Sequence, residues 1–306
     1  MAAVQRPANT SNDWQMHLTD TVCQYMTARL HEEIVDGPRA LPAISIPMQI
    51  ACEADHILAV IIQAYRECVT RDIKQGVQTN LARSNDMEIT RPTVVIDKEG
   101  SILLWYLPNA ISQAYQSEVW NSLGLLSIPL QRSLKSHGMG GWRNDGKNFR
   151  NDANLKGAID LSPAWFQQGR GPSNDAHHPE VSRLLKSKSQ PKEVREWLQC
   201  TAGLQAVLSG ALRIMHPKMY LHGQEAIRRL RSKAAERQDE DMEAVLPMWN
   251  SVYSSMSVMV NRASPAHKDT NGRKVWLDTL LTVGNYPRLH FLVPELGIRL
   301  QYNPGT

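Results

Sequence analysis

The spacing of hydrophobic residues changes near Trp249, from a helical pattern before it to a strand pattern after it. Before this point apolar residues recur every three or four positions, for example at Ala54, Ile57 and Ile61, as in a helix that lies on a core. After it, β-branched apolar runs such as residues 252–261 predict strands. Together with a hairpin and helix predicted over residues 93–123, these patterns predict the α+β class.

The N-terminal part of the chain is predicted to be a mobile tail followed by helices. Residues 1–18 are rich in Asn, Ser, Thr and Pro and have little apolar surface to bury, which predicts the tail. Thr19 is a suitable N-cap for a first helix, which is expected to stop at Asp36. The apolar stripe of a second helix is expected to continue as far as Val69.

A hairpin and a third helix are predicted next. Residues 93–96 and 101–107 are apolar runs separated by a short polar turn, so they predict two paired strands with Gly100 in the turn. A helix through Tyr115 and Leu123 follows, and it is expected to end before Pro129.

Further helices are predicted before Trp249 and further strands after it. Residues 196–215 carry apolar side chains at helical spacing and predict a core helix, whereas the charged residues 221–241 predict a solvated helix. Beyond Trp249, residues 275–283, 288–293 and 298–302 predict strands.

Composition allows a well-packed soluble protein and leaves its partners open. Of 306 residues, 42% are hydrophobic, which is enough for one large domain or two smaller ones. The net charge is +4 and the pI is near 8.9, a mild basic excess that permits nucleic-acid binding without requiring it.

The cysteine pattern and the absence of long apolar runs predict an intracellular protein without a membrane span. The four cysteines are far apart and form no Cys-x-x-Cys pair, so they are expected to be buried free thiols in a reducing compartment. The first residues lack the apolar core of a signal peptide. The longest apolar run, residues 57–62, is far shorter than the roughly 20 residues that span a bilayer.

The stretch 136–190 is rich in glycine and polar residues and predicts a long loop within the domain. Basic and aromatic residues interleave in it, the mixture that phosphate pairing and base stacking require. The basic residues are Arg143, Lys147, Arg150, Lys156 and Arg170, and the aromatic ones are Trp142, Phe149, Trp165 and Phe166. Two interpretations stay open: the loop holds a nucleic-acid strand, or it is a solvated loop anchored by its aromatic residues.

A His-x-Asp motif, His267 and Asp269, is the candidate metal site. Alternate side chains of an extended segment point the same way, so this imidazole and this carboxylate can converge on one ion. They would supply two of the three ligands of a 2-His-1-carboxylate Fe(II) site. The alternative is an ordinary polar strand end, because Asn271-Gly272 is a strong hairpin turn signal.

The C-terminal region resembles the fungal branch of the TET/JBP-like 2-oxoglutarate and Fe(II)-dependent dioxygenases, which oxidise the methyl group of 5-methylcytosine. The resemblance lies in residues 291–298, in Tyr302-x-Pro-Gly305, in Asn261-Arg262 and in the His267 motif. A Pro-x-x-Tyr segment at Pro217 and Tyr220 is also similar. The likeness is good over roughly the last third of the chain, and earlier it extends only to the order of hairpin, helix and glycine-rich loop.

The resemblance implies a double-stranded β-helix, or jelly roll, whose mouth holds Fe(II) and 2-oxoglutarate. His267 and Asp269 would be metal ligands, and Asn261 and Arg262 could touch a flipped base. Strand-end residues satisfied by the backbone are the alternative for that second pair. The loop with Trp142 and Arg143 would help to hold methylated DNA, which implies a nuclear location.

One departure from the family pattern affects the expected activity. In this family the second metal histidine and the arginine that pairs with 2-oxoglutarate follow the turn that Pro304 and Gly305 open, and this sequence ends there. His290 lies on a predicted strand before that turn and is expected to be an ordinary strand residue. The resemblance therefore implies one oxygenase-like domain over residues 19–306, with a jelly roll that is backed by helices and incomplete at its C-terminal end.

Three hypotheses for the function follow. The first is oxidation of a methylated base in DNA, by this chain or by a longer parent protein. The second is a non-catalytic relative that binds nucleic acid or protein. The third is a partial gene product without a stable fold.

Overall fold

The computed structural model describes residues 13–34, 46–73, 86–135, 141–165, 178–186, 192–265, 267, 276–286 and 288–306. The chain divides into two compact units, residues 1–50 with 122–262 and residues 51–121 with 263–306. Each unit contains both helices and strands, which confirms the α+β class. The prediction of one oxygenase-like domain over residues 19–306 stays a prediction.

The described residues form the following helices and strands. The helices are α1 (Asp13–Ile34), α2 (Met48–Arg66), α3 (Gln113–Ser122), α4 (Ser127–Ser133), α5 (Lys192–Cys200), α6 (Ala202–Met215), α7 (Pro217–Arg237) and α8 (Glu240–Val245). The strands are β1 (Cys68–Thr70), β2 (Met87–Ile89), β3 (Thr93–Ile96), β4 (Ile102–Tyr106), β5 (Gly157–Leu161), β6 (Met256–Val260), β7 (His290–Val293) and β8 (Ile298–Gln301).

The first unit packs helices around a small antiparallel sheet. β5 pairs with β6 from Gly157 opposite Val260 to Leu161 opposite Met256. The inward side chains of these strands join a core that includes the fully buried Leu198 and the almost fully buried Trp249. α1 lies against α6, where Gly210 faces Met26; a Cβ added at Gly210 would overlap the sulfur of Met26 unless that flexible side chain shifted.

The second unit contains two three-stranded sheets. One has the order β1-β3-β4, and its β3 and β4 form the predicted hairpin with Gly100 in the turn at φ +83°. The other has the order β2-β8-β7, with β8 parallel to β2 and antiparallel to β7. Val95 and Ile298 are fully buried in the same hydrophobic cluster.

The predicted jelly roll stays a prediction. The described strands form two three-stranded sheets and one two-stranded sheet, and within the described ranges they do not close into a roll. None of the helices in those ranges has the length and apolar character that a membrane crossing needs.

The ends of the first two helices differ from the prediction. α1 begins at Asp13 rather than after a cap at Thr19. Leu18, which was predicted to belong to the mobile tail, is a buried residue of α1. α2 ends at Arg66, and the residues up to Val69 that continued its stripe belong to β1. Backbone pairing of β1 with β3 outweighs the helical spacing of these side chains.

Of two predictions about helix interruption, one is confirmed and one was wrong. α3 ends at Ser122, before Pro129 as predicted, and Pro129 itself lies in the first turn of α4, where its missing N–H costs no hydrogen bond. The helix expected over residues 196–215 is two helices, α5 and α6, separated at Thr201. The carbonyl oxygen of Trp197 accepts from both the hydroxyl and the backbone N–H of Thr201, each at 3.0 Å, so side chain and backbone share one acceptor at this junction.

Strand content and cysteine burial need correction as well. The predicted loop 136–190 contains β5, whereas residues 276–283, predicted as part of a strand, form none. Trp276 and Leu280 on that segment are 57% and 51% exposed, so its apolar pattern does not reflect core burial.

All four cysteines are free as predicted, but only Cys23 is buried, and Cys52, Cys68 and Cys200 are exposed.

Candidate metal centre and nucleic-acid interface

His267 is an exposed residue of the second unit whose ring orientation suits a metal ligand. Its Nδ1 atom lies 2.8 Å from the carbonyl oxygen of Pro265. Because a carbonyl oxygen can only accept, Nδ1 must carry the proton in this contact. The lone pair of the neutral ring is then on Nε2, the arrangement found where a backbone carbonyl orients a metal-bound histidine.

The rest of the predicted iron site is not visible in the structure. Asp269 lies outside the described residues, so its pairing with His267 stays a prediction. Over the described ranges no group of three or more His, Cys, Asp or Glu side chains is placed to hold a metal ion. One imidazole therefore fits the expected donor set, and the complete set is not present among these residues.

His290, the alternative histidine, is part of a hydrogen-bonded network on the sheet β2-β8-β7. Its Nε2 lies 3.4 Å from one carboxylate oxygen of Glu88, and Arg299 donates to the other at 2.7 Å. Hydrogen bonds from Arg299 and then from Gln301 lower the pKa of Glu88 to about 2. This carboxylate is paired with a guanidinium, which agrees with the prediction that His290 is an ordinary strand residue.

In the first unit, Trp142, Arg143 and Arg262 come together in what we call the arginine–tryptophan cluster. The Cζ atoms of Arg143 and Arg262 lie 4.8 and 5.0 Å from the centroid of the Trp142 ring. Arg262 also donates from Nη1 to the carbonyl oxygen of Arg143 at 3.3 Å. Burial, and then the like charge of Arg143, lower the pKa of Arg262. Sequence analysis predicted Trp142 and Arg143 in the loop and Arg262 at a strand end as separate substrate-binding candidates. The structure brings all three side chains together.

Backbone contacts hold the segments that carry the cluster. Phe149, which is 4% exposed, forms an antiparallel bridge with Arg262. Next to this bridge, Arg150 N–H donates to the carbonyl oxygen of Asn261 at 2.9 Å. The Asn148 side chain donates to the Trp142 carbonyl oxygen at 2.8 Å. The loop and the end of β6 are therefore joined by backbone atoms, and the cluster does not depend on side-chain attraction alone.

Unlike its neighbour Arg262, Asn261 makes its contacts with the backbone. It has φ +54°, in the left-handed region that Asn tolerates better than most residues. Its side-chain amide donates to the carbonyl oxygen of Leu155 at 2.9 Å. These contacts correspond to the interpretation as a strand-end residue satisfied by the backbone, and a contact of Asn261 with a base stays a prediction.

The other basic and aromatic residues of the predicted loop mostly have structural partners. Phe149 is buried, and Arg150 donates twice to the carboxylate of Asp152, at 2.7 and 2.8 Å. Lys156 donates to backbone carbonyl oxygens, and Lys147 lies 3.5 Å from Asp145. Arg170 and Phe166 lie outside the described residues, whereas Trp165 is paired with Glu180 through the backbone. Most of this stretch therefore matches the loop anchored by aromatic residues.

An open cleft of about 370 Å³, also in the first unit, was missed by the sequence analysis. Its polar lining includes Arg132, Arg183 and Asp160. Asp160 is also the acidic residue whose charge raises the pKa of Arg262, against the lowering by burial. Arg132 comes from α4, Asp160 from β5 and Arg183 from a short 3-10 helix. No motif links these three positions in the sequence.

Comparison with known proteins finds a similarity in the C-terminal part of the chain. No curated protein matches the chain. A family model does match over residues 171–306, a range that includes Asn261, Arg262, His267 and Asp269 but not Trp142 or Arg143. The model describes the family as a whole, so the fungal branch stays a prediction. The resemblance is confirmed at the family level, because residues 171–306 match Tet_JBP, the oxygenase domain of the 2OGFeDO superfamily.

Proposed function

We propose that this chain is a 2-oxoglutarate- and Fe(II)-dependent dioxygenase that oxidises a methylated base of the 5-methylcytosine type in DNA. The orientation of His267 within the matched region carries the proposal, because a ring held through Nδ1 by a backbone carbonyl oxygen, here that of Pro265, is typical of metal-bound histidines. The match of residues 171–306 to the oxygenase family supports the use of Fe(II) and 2-oxoglutarate as a class property. A substrate of this kind implies a nuclear location.

The chain's own residues have separate tasks in this proposal. His267 and Asp269 hold the iron, and the strands of the matched region belong to a jelly roll. Bound iron and 2-oxoglutarate supply the oxidising chemistry: O2 is consumed, 2-oxoglutarate becomes succinate and CO2, and the methyl group gains one oxygen atom. A base inside a duplex cannot reach such a centre, so the target base is flipped out of the duplex.

A purified-chain assay tests this function. The chain is incubated with Fe(II), 2-oxoglutarate and DNA containing 5-methylcytosine, and succinate and hydroxymethylcytosine are measured by mass spectrometry. Both products are expected in equal amounts, and neither is expected from His267→Ala or Asp269→Ala. His290→Ala is the matched control and should retain turnover, because this ring contacts Glu88. Absence of both products from the unaltered chain would overturn the proposal.

A non-catalytic DNA-binding protein is the second candidate. The arginine–tryptophan cluster favours it, because its cations can bind a strand without a metal ion. In that case the chain binds methylated DNA but produces neither succinate nor hydroxymethylcytosine.

A further inference from the structure

We propose that the arginine–tryptophan cluster of Trp142, Arg143 and Arg262 binds the phosphate backbone of a DNA strand. This inference rests on the proposed function, in which DNA is the substrate, and it assigns a binding role to residues outside and inside the matched region. Arg143 and Arg262 supply the hydrogen-bond donors. Trp142 is a positioning residue that holds both guanidinium groups.

The first argument is the charge of the cluster. Two guanidinium groups lie within about 5 Å of one indole centroid, and the positive charge of Arg143 lowers the pKa of Arg262, so the two charges repel each other. Attraction by the indole ring offsets part of this repulsion. Asp160, the acidic residue that acts on Arg262, is exposed and accepts a hydrogen bond from Ser257 at 2.6 Å. An anion bound by both arginines would stabilise the arrangement further.

The second argument is preorganisation. The Trp142 carbonyl oxygen accepts from Asn148, and Arg262 is bridged to the buried Phe149. The cations therefore come from two segments whose backbones are already joined, and less ordering is required on binding. Arg143 is exposed, so its side chain is accessible from solvent.

The third argument concerns the chemical class of the anion. A guanidinium group presents a planar fork of donors that matches phosphate oxygens, and it stacks on aromatic rings as it does here. Two more arginines, Arg132 and Arg183, line the cleft that Asp160 shares. Because Asp160 acts on Arg262 and also lines this cleft, the cleft with its two arginines adjoins the cluster in the same unit. An extended polyanion such as a DNA strand can use several of these cations, whereas a single phosphate can use few.

Salt-dependent binding tests the inference without any turnover. Binding of a fluorescent duplex containing 5-methylcytosine is measured by anisotropy over a range of salt concentrations, with EDTA and without 2-oxoglutarate. The slope of log K against log salt is negative, and each lost phosphate contact should reduce its magnitude by about 0.9. Arg143→Gln, which removes the charge and keeps most of the side chain, is expected to reduce the magnitude of this slope and to weaken binding roughly fivefold to tenfold at low salt.

Arg150→Gln is the matched control, because it removes an arginine of the same loop that already pairs with Asp152. It should leave the slope unchanged. Trp142→Leu should resemble Arg143→Gln, whereas Trp142→Phe, which keeps an aromatic face, should restore most of the binding. Melting temperatures confirm that the variants compared are folded, and the Trp142→Phe rescue provides a result if Trp142→Leu is not.

Two results would overturn the inference. One is a slope for Arg143→Gln equal to that of Arg150→Gln. The other comes from competition: if inorganic polyphosphate displaced the fluorescent duplex as effectively as unlabelled DNA does at the same phosphate concentration, the cluster would be a general anion site. A reduced slope in a chain that yields no hydroxymethylcytosine would support the inference and refute the proposed enzyme. If Arg143→Gln changed neither the slope nor the turnover, the proposed enzyme would be supported and the inference about the cluster would be refuted.

Discussion

The imidazole Nδ1 of His267 lies 2.8 Å from the carbonyl oxygen of Pro265, two positions earlier in the chain. The neutral ring should therefore be protonated on Nδ1 even when no metal is present. His56 offers the opposite case in the same unit, because its Nε2 lies 2.8 Å from the carbonyl oxygen of Asn109. Nitrogen NMR of the metal-free chain should show an Nδ1–H ring for His267 and an Nε2–H ring for His56. An Nε2–H ring at His267 would contradict the contact with Pro265.

Two helical glycines, Gly223 and Gly210, should respond differently to alanine. At Gly223 an added Cβ would overlap the backbone carbonyl oxygen of Val252, whereas at Gly210 it would meet the flexible end of Met26. Alanine improves helix propensity by about 1 kcal/mol at either position. Gly223→Ala should nevertheless lower the free energy of unfolding by about 1–3 kcal/mol, since backbone cannot move aside easily. Gly210→Ala should stay within about 1 kcal/mol of the unaltered chain, and urea unfolding would measure both.

Thiol reactivity should separate Cys23 from the other three cysteines. Burial raises the pKa of Cys23 to about 11, against smaller opposing effects of Tyr220 and Arg213. Little thiolate is then present at neutral pH, and the sulfur is also shielded from solvent. Labelling of the native chain with iodoacetamide should modify Cys52, Cys68 and Cys200, with Cys23 reacting only after denaturation. Equal labelling rates at all four positions would show that the packing around Cys23 differs from that described.

The hydrogen bond between Glu88 and Arg299 should contribute to stability in a defined pH range. The pKa of Glu88 is lowered to about 2 in the folded chain, so this contribution is present above the unfolded pKa of about 4.3 and is lost as the pH falls towards 2. The melting-temperature difference between the unaltered chain and Glu88→Gln should be constant above pH 5 and disappear near pH 2. Because the side chains are partly exposed, 1 M salt should reduce the difference. A difference that does not depend on pH would exclude the carboxylate as its cause.

Local signals in the sequence were sufficient for some elements and not for others. The β3–β4 hairpin was predictable because Gly100 supplies the positive φ of the turn between two apolar runs. β5 was missed because it lies in a glycine-rich stretch, and its pairing with β6 is a long-range contact. Residues 275–283 were predicted as a strand from their apolar and β-branched residues, but Trp276 and Leu280 are exposed and residues 276–283 form no strand.

The same division applies to the candidate sites. Residue type suggested Trp142, Arg143 and Arg262 as separate binding residues, but their contact depends on the bridge between Phe149 and Arg262 across a long sequence separation. His267 and Asp269 followed from the period of an extended segment, yet the Pro265 contact that orients the His267 ring could not be deduced from spacing. Tertiary contacts set by distant residues are what local patterns do not contain.

Calorimetric titration of the metal-free chain with Fe(II) under anaerobic conditions asks most directly whether His267 and Asp269 bind iron together. The unaltered chain should bind one equivalent of Fe(II), and His267→Ala or Asp269→Ala should each weaken binding by more than about 100-fold, since changes beyond the ligands themselves already cost 10–100-fold. His290→Ala should bind as the unaltered chain does. If His290→Ala lost the metal while His267→Ala retained it, or if no variant differed from the unaltered chain, the iron site proposed at His267 and Asp269 would be wrong.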